Sequence, residues 1–161
     1  RAGVAAPDAI VVDIGPGSFT GLRIGIAAAR ALGLAWGVPV HGMRATDLVA
    51  AAAFAGAPDC NRLAVVLDAG RGQLYVQHFE RGQPAADGAI VALSPADATR
   101  ACAGIAVAGP GASMLGQARI VSESWPRAAD ARLLTPAARA LAPAPLYIRA
   151  PDAVAPAMPL P

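Results

Sequence analysis

Residues 13–25, DIGPGSFTGLRIG, hold the densest set of groups able to do chemistry. Asp13 ends an aliphatic run, Gly15, Pro16 and Gly17 follow, and the hydroxyls of Ser18 and Thr20 come next. Glycines and hydroxyls in that order form phosphate-cradling loops, because bare backbone N–H groups at a helix N-terminus attract an anion. Two specific versions of the loop fail here. A Walker loop needs GxxxxGK followed by Ser or Thr, but Leu22 follows Gly21 and the chain contains no lysine. The dinucleotide fingerprint GxGxxG breaks at Thr20, where its third glycine belongs. What survives is a helix N-terminus that either attracts an anion weakly or is capped in the ordinary way by Ser18 or Thr20, with Gly15 and Gly17 shaping the turn.

Other reactive side chains are sparse. His41 and His78 belong to no HExxH or HxxxH pair, so no metal site is expected. Cys60 and Cys102 lack CxxC spacing and read as isolated thiols of a reducing compartment. Asp68, two residues before Gly70, reads as a turn former and Arg71 as a solvated turn residue. Asp13 has a second reading. VVDIG is similar to the first phosphate motif of superfamily kinases, where an Asp at a strand end orients a metal-bound nucleotide, but there the turn leads into an antiparallel strand and here helix-compatible residues follow.

Along that helix, Gly21, Gly25, Ala29, Gly33 and Gly37 recur every fourth residue. Each interior glycine costs about 1 kcal/mol relative to alanine, a burden that close backbone contact would offset. The stripe admits either a partner's backbone or this chain's own sheet. Gly21, Gly25, Ala29 and Gly33 are taken as the partner-interface candidates.

The elements that position these residues follow from local pattern. AIVVDI, residues 9–14, reads as a buried strand, and GLRIGIAAARALGLAWG as a helix ended by Gly37 and Pro39. PVHGM is a second strand, and Thr46 or Asp47 is expected to cap a helix running to about Ala55. This alternation predicts parallel pairing in an α/β layer. Residues 63–83 predict a hairpin across Gly70 and Gly72. Ser94 with Pro95 starts a short helix, GIAVAGPGA is a strand ending in a glycine turn, and TPAARALA is another helical piece. The weak point between lobes lies at Pro58–Arg62.

Composition bounds the rest. The 161 residues, 55% of them hydrophobic, are enough for one domain or two small lobes. All 13 basic residues are arginine, and against 11 acids they leave a net charge of +2 with no concentrated patch for RNA. Uncharged runs such as residues 48–58 fall short of the roughly 18 residues that a membrane span requires, and no signal peptide is visible.

GPGSFTGLRIGIAAARALGLAWGVPVHGMRATDLVA, residues 15–50, resembles the signature of the bacterial TsaB (YeaZ, Gcp-like) family of tRNA threonylcarbamoyladenosine biosynthesis proteins. VVLDAGRGQLYVQHF resembles that family's strand and turn before a Tyr-containing strand, and PLYIR its terminal PxYLR. The likeness runs from Ile10 to Arg149 and is looser between Gln83 and Leu141. It implies an α/β, actin-like ATPase (ribonuclease-H-like) fold of two lobes. Because family members begin with a DTS-bearing strand and a hairpin, the first lobe is expected to be incomplete at its N-terminus. The organisation expected is 1–58 for the remainder of that lobe, 59–149 for the second lobe and return segment, and 150–161 for a disordered Pro/Ala-rich tail.

The same resemblance implies a cytoplasmic, non-catalytic scaffold. It would pair with the catalytic TsaD subunit, be assisted by the TsaE ATPase, reach tRNA through the complex and also be able to homodimerise. ATP and metal are then expected at the partner subunit, with no catalytic residue, metal or cofactor in this chain. The alternative is a small-molecule kinase using Asp13.

Overall fold

The computed structural model describes residues 7–83, 89–116 and 118–149. The aliphatic run becomes β1 (Ile10–Asp13), and the helix after the glycine loop is α1 (Phe19–Trp36). Ser18 is its cap, accepting from the Gly21 N–H at 3.3 Å, while Thr20 lies inside the first turn. Gly37 closes the helix in the left-handed conformation at φ 66°, its N–H donating to the Gly33 carbonyl. The chain then returns as β2 (Val40–Met43), parallel to β1 with Ile10 opposite Val40 and Asp13 opposite Met43. The far edge of β1 has no strand beside it among the described residues.

β2 runs directly into α2 (Ala45–Gly56), and here the expected cap is corrected. Arg44 occupies the cap position without a side-chain capping bond, and Thr46 and Asp47 lie inside the helix, both buried. The reason is tertiary: the Ala45 N–H, the first free donor of the helix, is taken by the Gly15 carbonyl at 3.0 Å, so the first turn begins ahead of Thr46 and Asp47.

The second sheet has the order β5-β4-β3-β6-β7. Its centre is the hairpin of β3 (Arg62–Gly70) and β4 (Gln73–Glu80), turning through Gly70, Arg71 and Gly72, all at positive φ. Asp68 shapes the turn by accepting from the Gly70 N–H at 2.7 Å. β5 (Val91–Leu93) and β7 (Arg119–Ser122) form the edges, with α3 (Pro95–Ala101) and β6 (Ala106–Ala108) between them in sequence. Neither edge strand is foreseen from the sequence. Ser94 caps α3 from its side chain, as its spacing predicts. The helical piece expected in TPAARALA is instead a single 3-10 turn, Ala137–Arg139.

Leu63 to Leu67 are all buried, and alternate residues serve opposite faces. Leu63, Val65 and Leu67 join Ala45, Val49, Ala50 and Ala53 of α2 on one face. Ala64 and Val66 join Ala98, Cys102, Ala112 and Leu115 on the other. α2 therefore packs on β3 across the Pro58–Arg62 junction. Arg81 ties that junction further, donating to the carbonyls of Phe54, Ala57 and Cys60 at 3.0, 2.7 and 3.0 Å. Residues 150–161 lie outside the described residues, as does the expectation made for them.

Candidate functional site

Asp13 is turned into its own loop. Its Oδ1 accepts from the Gly15 N–H at 2.8 Å. Burial pushes its carboxyl above the ordinary aspartate value, against a smaller opposite pull from the N–H groups of Gly15 and Ala45. Gly15, at φ 114°, has no room for a side chain, because a β-carbon would sit 3.0 Å from Leu22 Cδ1 and 3.1 Å from the Leu146 carbonyl. Gly17 and Thr20 are exposed around the Ser18 cap. The loop thus locks β1 to α1 and to residue 146. Among the described residues no group of three or more His, Cys, Asp or Glu side chains could hold a metal ion, and both cysteines are buried and free.

The small-residue stripe divides. Leu22, Ile26, Ala29 and Gly33 form the buried face of α1. A β-carbon at Gly33 would lie 2.4 Å from Val40 Cγ2 and 3.0 Å from the Val38 carbonyl, so Gly33 serves the chain's own packing on β2, and Ala29 is buried on the same face of the helix. Gly21 is exposed, and Gly25 is half-buried with nothing within 4 Å of a built β-carbon.

The opposite face of α1 is open to solvent and largely apolar. Ile24, Ala27, Ala28, Ala31, Leu34 and Ala35 are all exposed and recur at spacings of three and four. Leu34 is 87% and Ile24 65% exposed. The first turn carries no acid and the last no base. The helix is therefore apolar on both sides while only one of them is buried. That signal is present in IGIAAARALGLAW itself, where Arg23 and Arg30 are the only charges between Phe19 and Trp36.

Those two arginines flank the outer face and reach the return segment, residues 141–149. Arg23 Nε donates to the Tyr147 hydroxyl at 2.7 Å, and its guanidinium lies 3.8 Å from the Phe19 ring centroid. Arg30 donates to the Pro143 carbonyl at 2.9 Å. At the base of α2, Arg44 Nε bonds Asp47 Oδ2 at 3.0 Å. Asp47 Oδ1 and Thr46 Oγ1 are buried with no hydrogen-bond partner among the described residues. Burial raises the Asp47 carboxyl against the smaller pull of Arg44. No helix among the described residues is long and apolar enough to cross a membrane.

A family model described as TsaD, tRNA N6-adenosine threonylcarbamoyltransferase, matches residues 2–114. An uncharacterized protein of Mycobacterium tuberculosis is 37% identical over 148 residues, 91% of this chain and 66% of that protein. A tRNA N6-adenosine threonylcarbamoyltransferase of Anaeromyxobacter dehalogenans is 40% identical over 73 residues, 44% of this chain and 22% of that protein. The chain spans 66% or less of the length of these curated relatives. Among solved structures, YeaZ from Pseudomonas aeruginosa superposes with a TM-score of 0.67 at 25% identity, covering 91% of this chain and 77% of that one.

Proposed function

Because the chain belongs to the tRNA N6-adenosine threonylcarbamoyltransferase (TsaD) family, we propose that it acts in threonylcarbamoyladenosine formation in tRNA as a TsaB-like scaffold. Its α/β layers are those of the actin-like, TsaD-type fold shared with YeaZ. In this reading it pairs with a TsaD-type catalytic subunit, assisted by a TsaE-type ATPase, in the cytoplasm. ATP, metal and the tRNA adenosine are handled by the partner.

The observation that carries the reading is the outer face of α1. Fully burying a Leu or Ile side chain contributes about 1.5–3 kcal/mol, and Leu34 and Ile24 stand open to solvent at 87% and 65%. A partner helix laid along that row would bury both. Two features weigh against the kinase reading. Asp13 spends its carboxylate on the Gly15 turn, and the loop has no lysine to meet a phosphate.

Leu34→Glu tests the scaffold. Substitutions at such exposed positions normally change stability by no more than about 0.5 kcal/mol, so the melt should not move. Affinity for the purified TsaD-type protein of the same organism, followed by calorimetry, should fall by at least about tenfold, or about 1.4 kcal/mol. Undiminished binding by Leu34→Glu refutes the proposed interface.

A further inference from the structure

We propose that residues 141–149 form a clasp that positions the outer face of α1 relative to the tip of the β3–β4 hairpin. Binding at α1 and order at that tip are then one coupled equilibrium. The inference rests on the scaffold reading of α1 and adds the element that regulates that face.

The clasp is assembled from ties to both parts of the fold. At its start Leu141 and Gly42 exchange backbone hydrogen bonds of 2.6 and 3.1 Å. Gly42 is required there, since a β-carbon would come within 2.7 Å of both the Ala142 carbonyl and Ile14 Cγ2. The Leu146 N–H then donates to the Ile14 carbonyl at 2.8 Å, just beyond β1. Toward α1, the segment takes the Arg30 bond on Pro143 and the Arg23 bond on Tyr147, and the Tyr147 and Phe19 rings lie 5.4 Å apart. Two residues later the direction changes. Ile148 packs against the cluster of α2 and the second sheet. Arg149 then reaches the hairpin, donating to Gln73 Oε1 at 3.0 Å and to the Ala69 carbonyl at 2.8 Å.

One short segment therefore carries a helix-facing anchor at Tyr147 and a hairpin-facing anchor at Arg149. Both ties use guanidinium groups, whose planar fork fixes direction as well as distance. Arg23 and Arg30 stand beside the exposed row, so a shift of the clasp turns or tilts the surface that a partner meets. The coupling is reciprocal by thermodynamic necessity: whatever steadies the hairpin tip favours the competent α1 face, and a partner on α1 steadies the tip.

Arg149→Ala tests this, because it cuts the hairpin anchor and leaves every residue of the α1 row in place. Affinity for the purified TsaD-type protein should fall about 5- to 10-fold, within the usual range of coupling between sites. Amide exchange should quicken at residues 69–73 and also along α1. Arg149→Lys, which supplies a single donor in place of the fork, should restore part of both effects, and Gln73→Ala should cause a smaller change in the same direction, which keeps the test open if Arg149→Ala folds poorly. Faster exchange confined to residues 69–73 with full affinity would overturn the clasp. Leu34→Glu separates the two proposals. If it leaves binding intact, the scaffold interface fails and the exchange pattern alone judges the clasp. If it removes binding while Arg149→Ala does not, the clasp fails and the interface stands.

Discussion

Gly33→Ala and Gly25→Ala are the same chemical change eight residues apart on one helix, and the structure requires them to have opposite signs. In a free helix each exchange would gain about 1 kcal/mol of intrinsic propensity. At Gly25 nothing lies within 4 Å of the new β-carbon, so that gain is kept. At Gly33 the β-carbon arrives 2.4 Å from Val40 Cγ2 and 3.0 Å from the Val38 carbonyl. Val40 is β-branched and stiff about χ1, and a backbone carbonyl yields only if α1 is lifted off β2. Overpacking of this kind costs about 1–3 kcal/mol, which offsets the propensity gain of about 1 kcal/mol and leaves a net loss of up to about 2 kcal/mol. The two variants should then differ by about 1–3 kcal/mol, or roughly 2–12 °C in Tm at the 2–4 °C per kcal/mol typical of chains this size. Thermal melts followed by far-UV circular dichroism measure both, with wild type melting between them. If Gly33→Ala melts at or above wild type, α1 does not rest on Val40 and the division of the stripe is wrong.

Two predictions concern Asp13. Burial holds its folded carboxyl above the ordinary value of 3.8, so the native chain binds that proton more tightly than the unfolded chain. The ionised group therefore lowers stability at pH above the raised folded value, and the penalty fades as pH falls toward 3.8. Asp13→Asn, which keeps an oxygen for the Gly15 N–H, should raise the denaturant midpoint at about pH 7 and lose that advantage by about pH 3. An equal effect at both pH values would mean that the carboxylate is not desolvated in the folded chain. The scaffold reading also expects no micromolar affinity of the chain alone for ATP with magnesium. Calorimetry finding such affinity, abolished by Asp13→Ala, would favour the kinase.

The sequence is legible where local chemistry decides. Ser18 and Ser94 cap α1 and α3 with their own side chains, Gly37 ends α1 because its φ of 66° suits glycine, and Gly70 and Gly72 turn the hairpin. It is illegible where a distant segment supplies the partner. β5 and β7 are edge strands, and each is defined by pairing with β4 or β6. The first donor of α2 is taken by the Gly15 carbonyl, about thirty residues upstream, so the first turn starts ahead of Thr46 and Asp47. The arginine anchors of the return segment join residues 113 and 124 positions apart. Nothing in the neighbourhood of Arg23 or Arg30 announces them.

A small residue at every fourth position does not stay on one face of a helix. A step of four residues turns about 400° around an α-helix, so positions repeating every fourth residue drift by about 40° each time. From Gly21 to Gly33 the drift totals about 120°, and the stripe winds from solvent into the core. Gly21 is accordingly exposed, Gly25 half-buried, and Ala29 and Gly33 buried. Rows that stay on one side mix steps of three and four, as Leu22, Ile26, Ala29 and Gly33 do inward and Ile24, Ala28, Ala31 and Leu34 do outward. The outward row is the one a partner can meet along its whole length. Gly21 and Gly25 lie at its margin, where a glycine lets a facing backbone come close while the branched side chains of Ile24 and Leu34 provide the area to be buried.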